Sequence, residues 1–174
     1  MAASEKIVLI TVKYRASRGL GLATAKAIAS LSPSYYIICG IRADSQAETH
    51  QSNISTAELD ITNSDSIGAA VSHIKDKYGK LDVLVNNAGV SSKLPNIVDN
   101  LTERISVNPL GSTRVTEALM PLLEKSSTPI LLFIITVLGS IAARSDPTHP
   151  FTQIEATGYR TSKATLDLLM ACYT

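Results

Sequence analysis

The spacing of its apolar runs narrows what this chain can fold into more than any other feature. Short stretches rich in Ile, Val and Leu, without polar alternation, fall at residues 7–11, 35–39, 81–85 and 130–137, with a weaker one at 55–59. Between them lie segments with helical periodicity, at about 19–31, 65–78, 98–124 and from 157 to the terminus. In the second of these Ile67, Ala70, Val71, Ile74 and Tyr78 share one face, and Gly79 stands where a C-cap glycine ends a helix. Strands apolar at nearly every position are buried on both faces, and regular strand–helix alternation makes neighbouring strands parallel. The pattern predicts an α/β fold, a doubly wound parallel sheet of strand order 3-2-1-4-5. One domain is expected over residues 1–174, without internal repeats, and residues 142–154 read as a loop.

Charge and cysteine usage exclude several classes. Charged residues make up 18% and the net charge is +1, with no basic run or acidic tail, so neither nucleic acid nor an anionic membrane surface is an expected partner. Cys39 and Cys172 lie far apart and match no metal or redox spacing, as expected of reduced thiols inside a cell. His50, His73 and His149 lack metal-ligand spacing, and no metal is expected. The apolar run at 7–12 is too short for a secretory signal, and no segment approaches the ~20 apolar residues of a membrane span. A soluble, cytoplasmic chain is the expectation.

In a doubly wound sheet, ligands sit beyond the carboxyl ends of the strands. The first loop there contains Ala16-Ser17-Arg18-Gly19-Leu20-Gly21 directly before a helix, where free N–H groups and the dipole favour a pyrophosphate. The fourth strand ends in Asn86-Asn87-Ala88-Gly89. Asp60 follows the third strand; then come Ser106-Val107-Asn108, Thr136-Val137-Leu138-Gly139 and Tyr159-Arg160-Thr161-Ser162-Lys163. In this order, over essentially the whole chain, these elements resemble the short-chain dehydrogenase/reductase family and its Rossmann-like fold. The resemblance implies hydride transfer between a nicotinamide cofactor and a small-molecule carbonyl or alcohol. It assigns Ser17, Arg18, Gly19, Leu20 and Gly21 to the cofactor phosphates. Asp60 is assigned to the adenine ring, and Asn87, Ala88 and Gly89 to the cofactor's border. It also makes Asn108, Thr136, Tyr159 and Lys163 a catalytic tetrad: Thr136 polarises the carbonyl, Asn108 holds a relay water, Tyr159 exchanges the proton, and Lys163 contacts the nicotinamide ribose.

The residues themselves support part of this. Tyr159 and Lys163 are four apart and project from one helix face, so an ammonium is expected to draw the phenol pKa below its free value of about 10. The second strand ends at Arg42 with no acid before Asp44, and Arg18 adds a second cation, an arrangement that suits a 2′-phosphate and so NADP(H) over NAD(H). No phosphate-binding Gly-x-x-x-x-Gly-Lys-[Ser/Thr] occurs. A methyltransferase-like domain would close the second strand with an acid and have no use for Tyr-x-x-x-Lys.

Three departures from the family pattern set further expectations. Lys13, Tyr14 and Arg15 lengthen the first loop and its first glycine is missing, which should weaken the phosphate cradle. Thr136 stands where serine is usual, keeping the hydroxyl but restricting its rotamers. The sequence stops at Thr174 inside the helix bearing Tyr159, whereas the family continues into a sixth strand and a substrate-covering segment. A truncated member is expected, with later strands missing, the fifth strand at an exposed edge and most of the substrate pocket unread. Leu166, Leu169, Met170 and Tyr173 on one side of the last helix, and Ala164, Leu168 and Ala171 on another, then call for neighbours; the family pairs its last two long helices in a homo-oligomer. Phe151 is a candidate substrate contact. The alternative is an impaired remnant that binds nucleotide or a partner subunit without turnover.

Overall fold

The computed structural model describes residues 5–12, 19–42, 51–91 and 94–173. Five strands, β1 (Lys6–Thr11), β2 (Tyr35–Ile41), β3 (Ile54–Glu58), β4 (Val83–Asn86) and β5 (Ile130–Phe133), form one parallel sheet of order β3-β2-β1-β4-β5. That is the predicted order. Among the described residues six helices accompany them: α1 (Leu20–Leu31), α2 (Ser64–Tyr78), α3 (Ile97–Val107), α4 (Pro109–Leu123), α5 (Ile141–Ser145) and α6 (Thr157–Ala171).

The apolar runs are explained by burial on both faces. Ile7 and Leu9 of β1 join Ile38, Ile74 and Leu119 in one core under α2 and α4. Their neighbours Val8 and Ile10 join Ile37 and Cys39 in a second core against Leu22, Ala25 and Ala29 of α1. At the sheet edge Ile130 and Leu132 of β5 are exposed. No helix among the described residues is long and apolar enough to cross a membrane.

Local capping sets α2: the Asn63 side chain accepts hydrogen bonds from the N–H groups of Asp65 and Ser66, and Gly79 closes it at φ 72°. The helical region expected at 98–124 is two helices, meeting at Asn108. Pro109 lacks the N–H that would bond to Ile105, and its ring crowds that carbonyl, so the chain breaks and restarts with Pro109 at the first position of α4. β5 ends four residues short of the expected 137. Its last ladder bond to β4 runs from Ile134 N–H to Asn86 C=O, after which β4 turns away, with Asn87 N–H bonding back to Val85 C=O. The expected loop at 142–154 instead begins with α5, capped by the Ser140 hydroxyl, which accepts from Ala143 N–H.

Candidate active site

The carboxyl ends of β1 and β4 are tied to one another. Thr11 Oγ1 accepts hydrogen bonds from the N–H groups of Asn87 (3.0 Å) and Ala88 (2.9 Å), and Asn87 Nδ2 donates to Thr11 C=O (2.8 Å). Asn87 thereby reaches toward the start of α1, where a Cβ on Gly21 would lie 2.5 Å from Asn87 Nδ2. Gly19 takes φ 117°, a backbone conformation open to glycine, and a Cβ there would meet nothing within 4 Å. Among the described residues no side chain caps α1, so the N–H groups of its first turn have no side-chain acceptor there. Ser17 and Arg18, and the lengthened stretch at 13–15, lie outside the described residues.

Asn108 is fully buried and ties the β4 loop to α6. Its Oδ1 accepts from Val90 N–H (2.7 Å), while Nδ2 donates to Val90 C=O (3.1 Å) and Ser162 Oγ (2.9 Å). Ser162 in turn donates to Tyr159 C=O (2.9 Å). Its backbone carbonyl accepts the α4 bond from Ser112 N–H, which is long at 3.4 Å. A Cβ on Gly89 would lie 3.0 Å from Asn108 Oδ1 and 3.9 Å from Lys163 Nζ, so Gly89 lets the strand end approach both side chains.

Lys163 is buried and donates to Ile134 C=O (2.6 Å), with its Nζ 6.0 Å from the centre of the Tyr159 ring. Burial lowers its pKa. Burial also raises the pKa of Tyr159, an effect that the charge of Arg104 opposes. The expected lowering of the phenol by Lys163 is therefore not met: the ammonium is aimed at a backbone carbonyl, and desolvation of the phenol dominates. Thr136 is half-buried and caps a 3-10 turn (Val137–Gly139), its Oγ1 accepting from Leu138 N–H at 3.3 Å. It does not line the cavities that Tyr159 shares.

A cavity of about 230 Å³ runs along Val12, Gly19, Gly21, Asn87, Gly89 and Ile134 to Tyr159 and Lys163, with Leu20 at its exposed lip. Beyond Val12 and Gly89 a second cavity, about 180 Å³, includes Arg42, Asp60, Thr62 and Ala88. Burial pushes the Asp60 carboxyl up, but hydrogen bonds from Thr62 and the charge of Arg42 outweigh it and hold the pKa below the ordinary value. A third cavity, about 370 Å³, meets the first at Tyr159 and Ser91 and extends along Leu94, Pro95 and Ile97 to Arg104 and Glu155. Phe151 lies outside it, its exposed ring beside His149.

The structure thus brings Gly19, Gly21, Asn87, Gly89, Tyr159 and Lys163 together, sets Arg42 and Asp60 at the far end, and leaves Asn108 and Thr136 as supports behind the wall. Sequence reasoning missed Thr11, Ser162, Ile134 and Arg104. Of these, Arg104 alone carried a signal: it lies four residues before Asn108, on the same face of α3.

The family described as short chain dehydrogenase matches residues 6–173. A short-chain dehydrogenase/reductase of Aspergillus fumigatus is 38% identical over 152 residues, which cover 79% of this chain and 57% of the relative. The short-chain dehydrogenase/reductase eupG of a Phoma species is 31% identical over 93% of this chain and 69% of its own length. The chain therefore spans little more than half of the first relative and about two thirds of the second. Among solved structures, the NADPH-bound carbonyl reductase from chicken fatty liver superposes with a TM-score of 0.79 at 23% identity, covering 98% of this chain and 73% of that one. The ligand-free aldohexose dehydrogenase of Thermoplasma acidophilum superposes at 0.76 with 26% identity, covering 98% and 60%.

Proposed function

This chain belongs to the short chain dehydrogenase family, and from that premise we propose that it is an NADP(H)-dependent oxidoreductase in which Tyr159 exchanges a proton with a carbonyl or alcohol substrate. One observation carries the reading: a glycine-walled cleft at the strand ends, with Lys163 in the wall of the cleft, meets the third cavity at Tyr159.

The cleft fits a dinucleotide by its own geometry. Gly19 and Gly21 keep Cβ atoms out of the cradle, the uncapped N-terminus of α1 offers N–H groups and a positive dipole end to phosphates, and Arg42 suits a 2′-phosphate beside Asp60 at the adenine end. Bound there, NADPH supplies the hydride. Tyr159 donates the phenol proton to the substrate oxygen in reduction and, as phenolate, takes it back in oxidation. Lys163 orients the ribose and, when drawn off Ile134 C=O toward the phenol, favours the phenolate. Asn108 fixes the strand end against α6 and holds a water in a proton relay. Thr136 stands behind the cavity wall and supports the site through the 3-10 turn that it caps. Exposed Leu110 on α4 and Leu168 on α6 fit a homo-oligomer formed through those helices.

Thermal unfolding with NADPH and with NADH tests the proposal. A ligand at 100 times its Kd that binds only the folded state adds about 2.7 kcal/mol. NADPH is expected to raise the transition and NADH to raise it less, with Arg42→Ala removing the difference. A cooperative transition indifferent to both cofactors favours the second reading, a folded remnant without a working cofactor site.

A further inference from the structure

Arg104 carries no proton in the chemistry above, yet it is only 3% exposed. Each of the other deeply buried charged side chains has its buried polar atoms partnered. Asp82 is paired with Lys80, Arg160 donates to the carbonyls of Leu138, Phe151 and Ile154, and Lys163 donates to Ile134. Arg104 Nε donates to Asn100 Oδ1 at 2.9 Å, but Nη1 is buried without a hydrogen-bond partner, and no carboxylate among the described residues pairs with the guanidinium. A buried cation left partly unpaired is destabilising, and the loss is recovered when an anion arrives.

The surroundings say where that anion comes from. Arg104 lines the 370 Å³ cavity that also contains Tyr159. Residue 158, adjacent to Tyr159, is a glycine on which a Cβ would collide with Asn100 Oδ1 and lie 3.3 Å from Arg104 Cδ. The Asn100–Arg104 pair is thus seated against the backbone of α6, one residue from the proton-exchanging phenol. Leu94, Pro95 and Ile97, themselves exposed, supply apolar lining of the cavity. Glu155 is exposed at the rim.

We infer that this cavity takes an oxo acid or the corresponding hydroxy acid, its carboxylate on Arg104 and its carbonyl or hydroxyl at Tyr159. The inference rests on the oxidoreductase reading for the reaction, but not for binding. Isothermal titration of the full chain with phenylpyruvate and pyruvate, each against its methyl ester, separates the two. The acids are expected to bind on the order of 30-fold more tightly than the esters. Arg104→Gln should erase that preference and Arg104→Lys retain part of it, so a loss through misfolding is told apart from loss of charge. Acids binding no better than esters in the natural chain, or an unchanged preference in a folded Arg104→Gln variant, overturns the site. Acid binding without NADPH oxidation leaves the site standing and removes the proposed activity. Equal reduction of acids and esters does the reverse.

Discussion

Burial raises the pKa of the Tyr159 hydroxyl while the Arg104 guanidinium pulls it back. The sign of the pH dependence follows. In the proposed alcohol oxidation the Tyr159 phenolate would be the base, so the rate is expected to climb with pH toward a limb set by the raised Tyr159 pKa. In carbonyl reduction the phenol is the acid, and the rate should fall above the same limb. Removing the cation in Arg104→Gln shifts that limb to higher pH; pH–rate profiles in both directions check this, and an unmoved limb would remove Arg104 from the phenol's electrostatics. Tyr159→Phe is expected to lower turnover by about 10²–10⁴-fold while the NADPH-induced thermal shift survives. The pair Tyr159 and Lys163 was legible from its four-residue spacing. The direction of the phenol shift was not, because spacing says which residues share a face but not that Ile134 C=O captures the ammonium.

Between elements, the 3-10 turn carrying Thr136 is pressed onto α6 at Gly139. A Cβ there would lie 3.0 Å from Ala164 N and from the carbonyl carbon of Lys163, both backbone atoms that cannot swing aside. Gly139→Ala should therefore push the turn off the helix and cost roughly 1–3 kcal/mol, as overpacking does. Because Thr136 caps that turn, kcat should fall while the KM for NADPH stays close to its original value. Urea unfolding and steady-state kinetics measure the two effects, and a variant of full stability would show that the turn has room to move. Helix α2 was readable almost to the residue, since its apolar face and Gly79 are local signals. The break at Asn108 was masked by continuous periodicity on either side, although Pro109 offered the clue.

Across the whole sheet, Asp82 anchors the ends of the strands opposite the site. Its carboxylate, 1% exposed, accepts from Ile7 N–H at the start of β1 and from Ser126 Oγ in the segment before β5, and it pairs with Lys80 at 2.9 Å. Burial pushes its pKa up, but the bonds from Ser126, Ile7 and Lys80 prevail and hold it below the ordinary value. A depressed carboxylate stabilises the fold above its unfolded pKa of about 3.9, and that stabilisation is lost as pH falls through the folded pKa. Asp82→Asn is expected to lower stability at pH 7 by roughly 2–3 kcal/mol, with the gap to the natural chain closing below about pH 4. Urea denaturation across pH 3–7 tests this; a pH-independent gap would mean that the lost charge is not its cause.

The sequence by itself determined the layered α/β architecture, the strand order and the ordered motifs around Asn87, Asn108, Tyr159 and Lys163. These rest on local periodicity and on family spacing, both of which are written along the chain. Tertiary structure alone decided which of those residues face a cavity and which stand behind it. The side chain of Asn108 is committed to Val90 and Ser162, and that of Thr136 to its own turn, through bonds between segments up to 54 residues apart. It also placed Arg104 beside Tyr159, across α3 and α6. Periodicity marks a charged residue as facing solvent or core; only the packed neighbours determine whether a buried cation has found its partner.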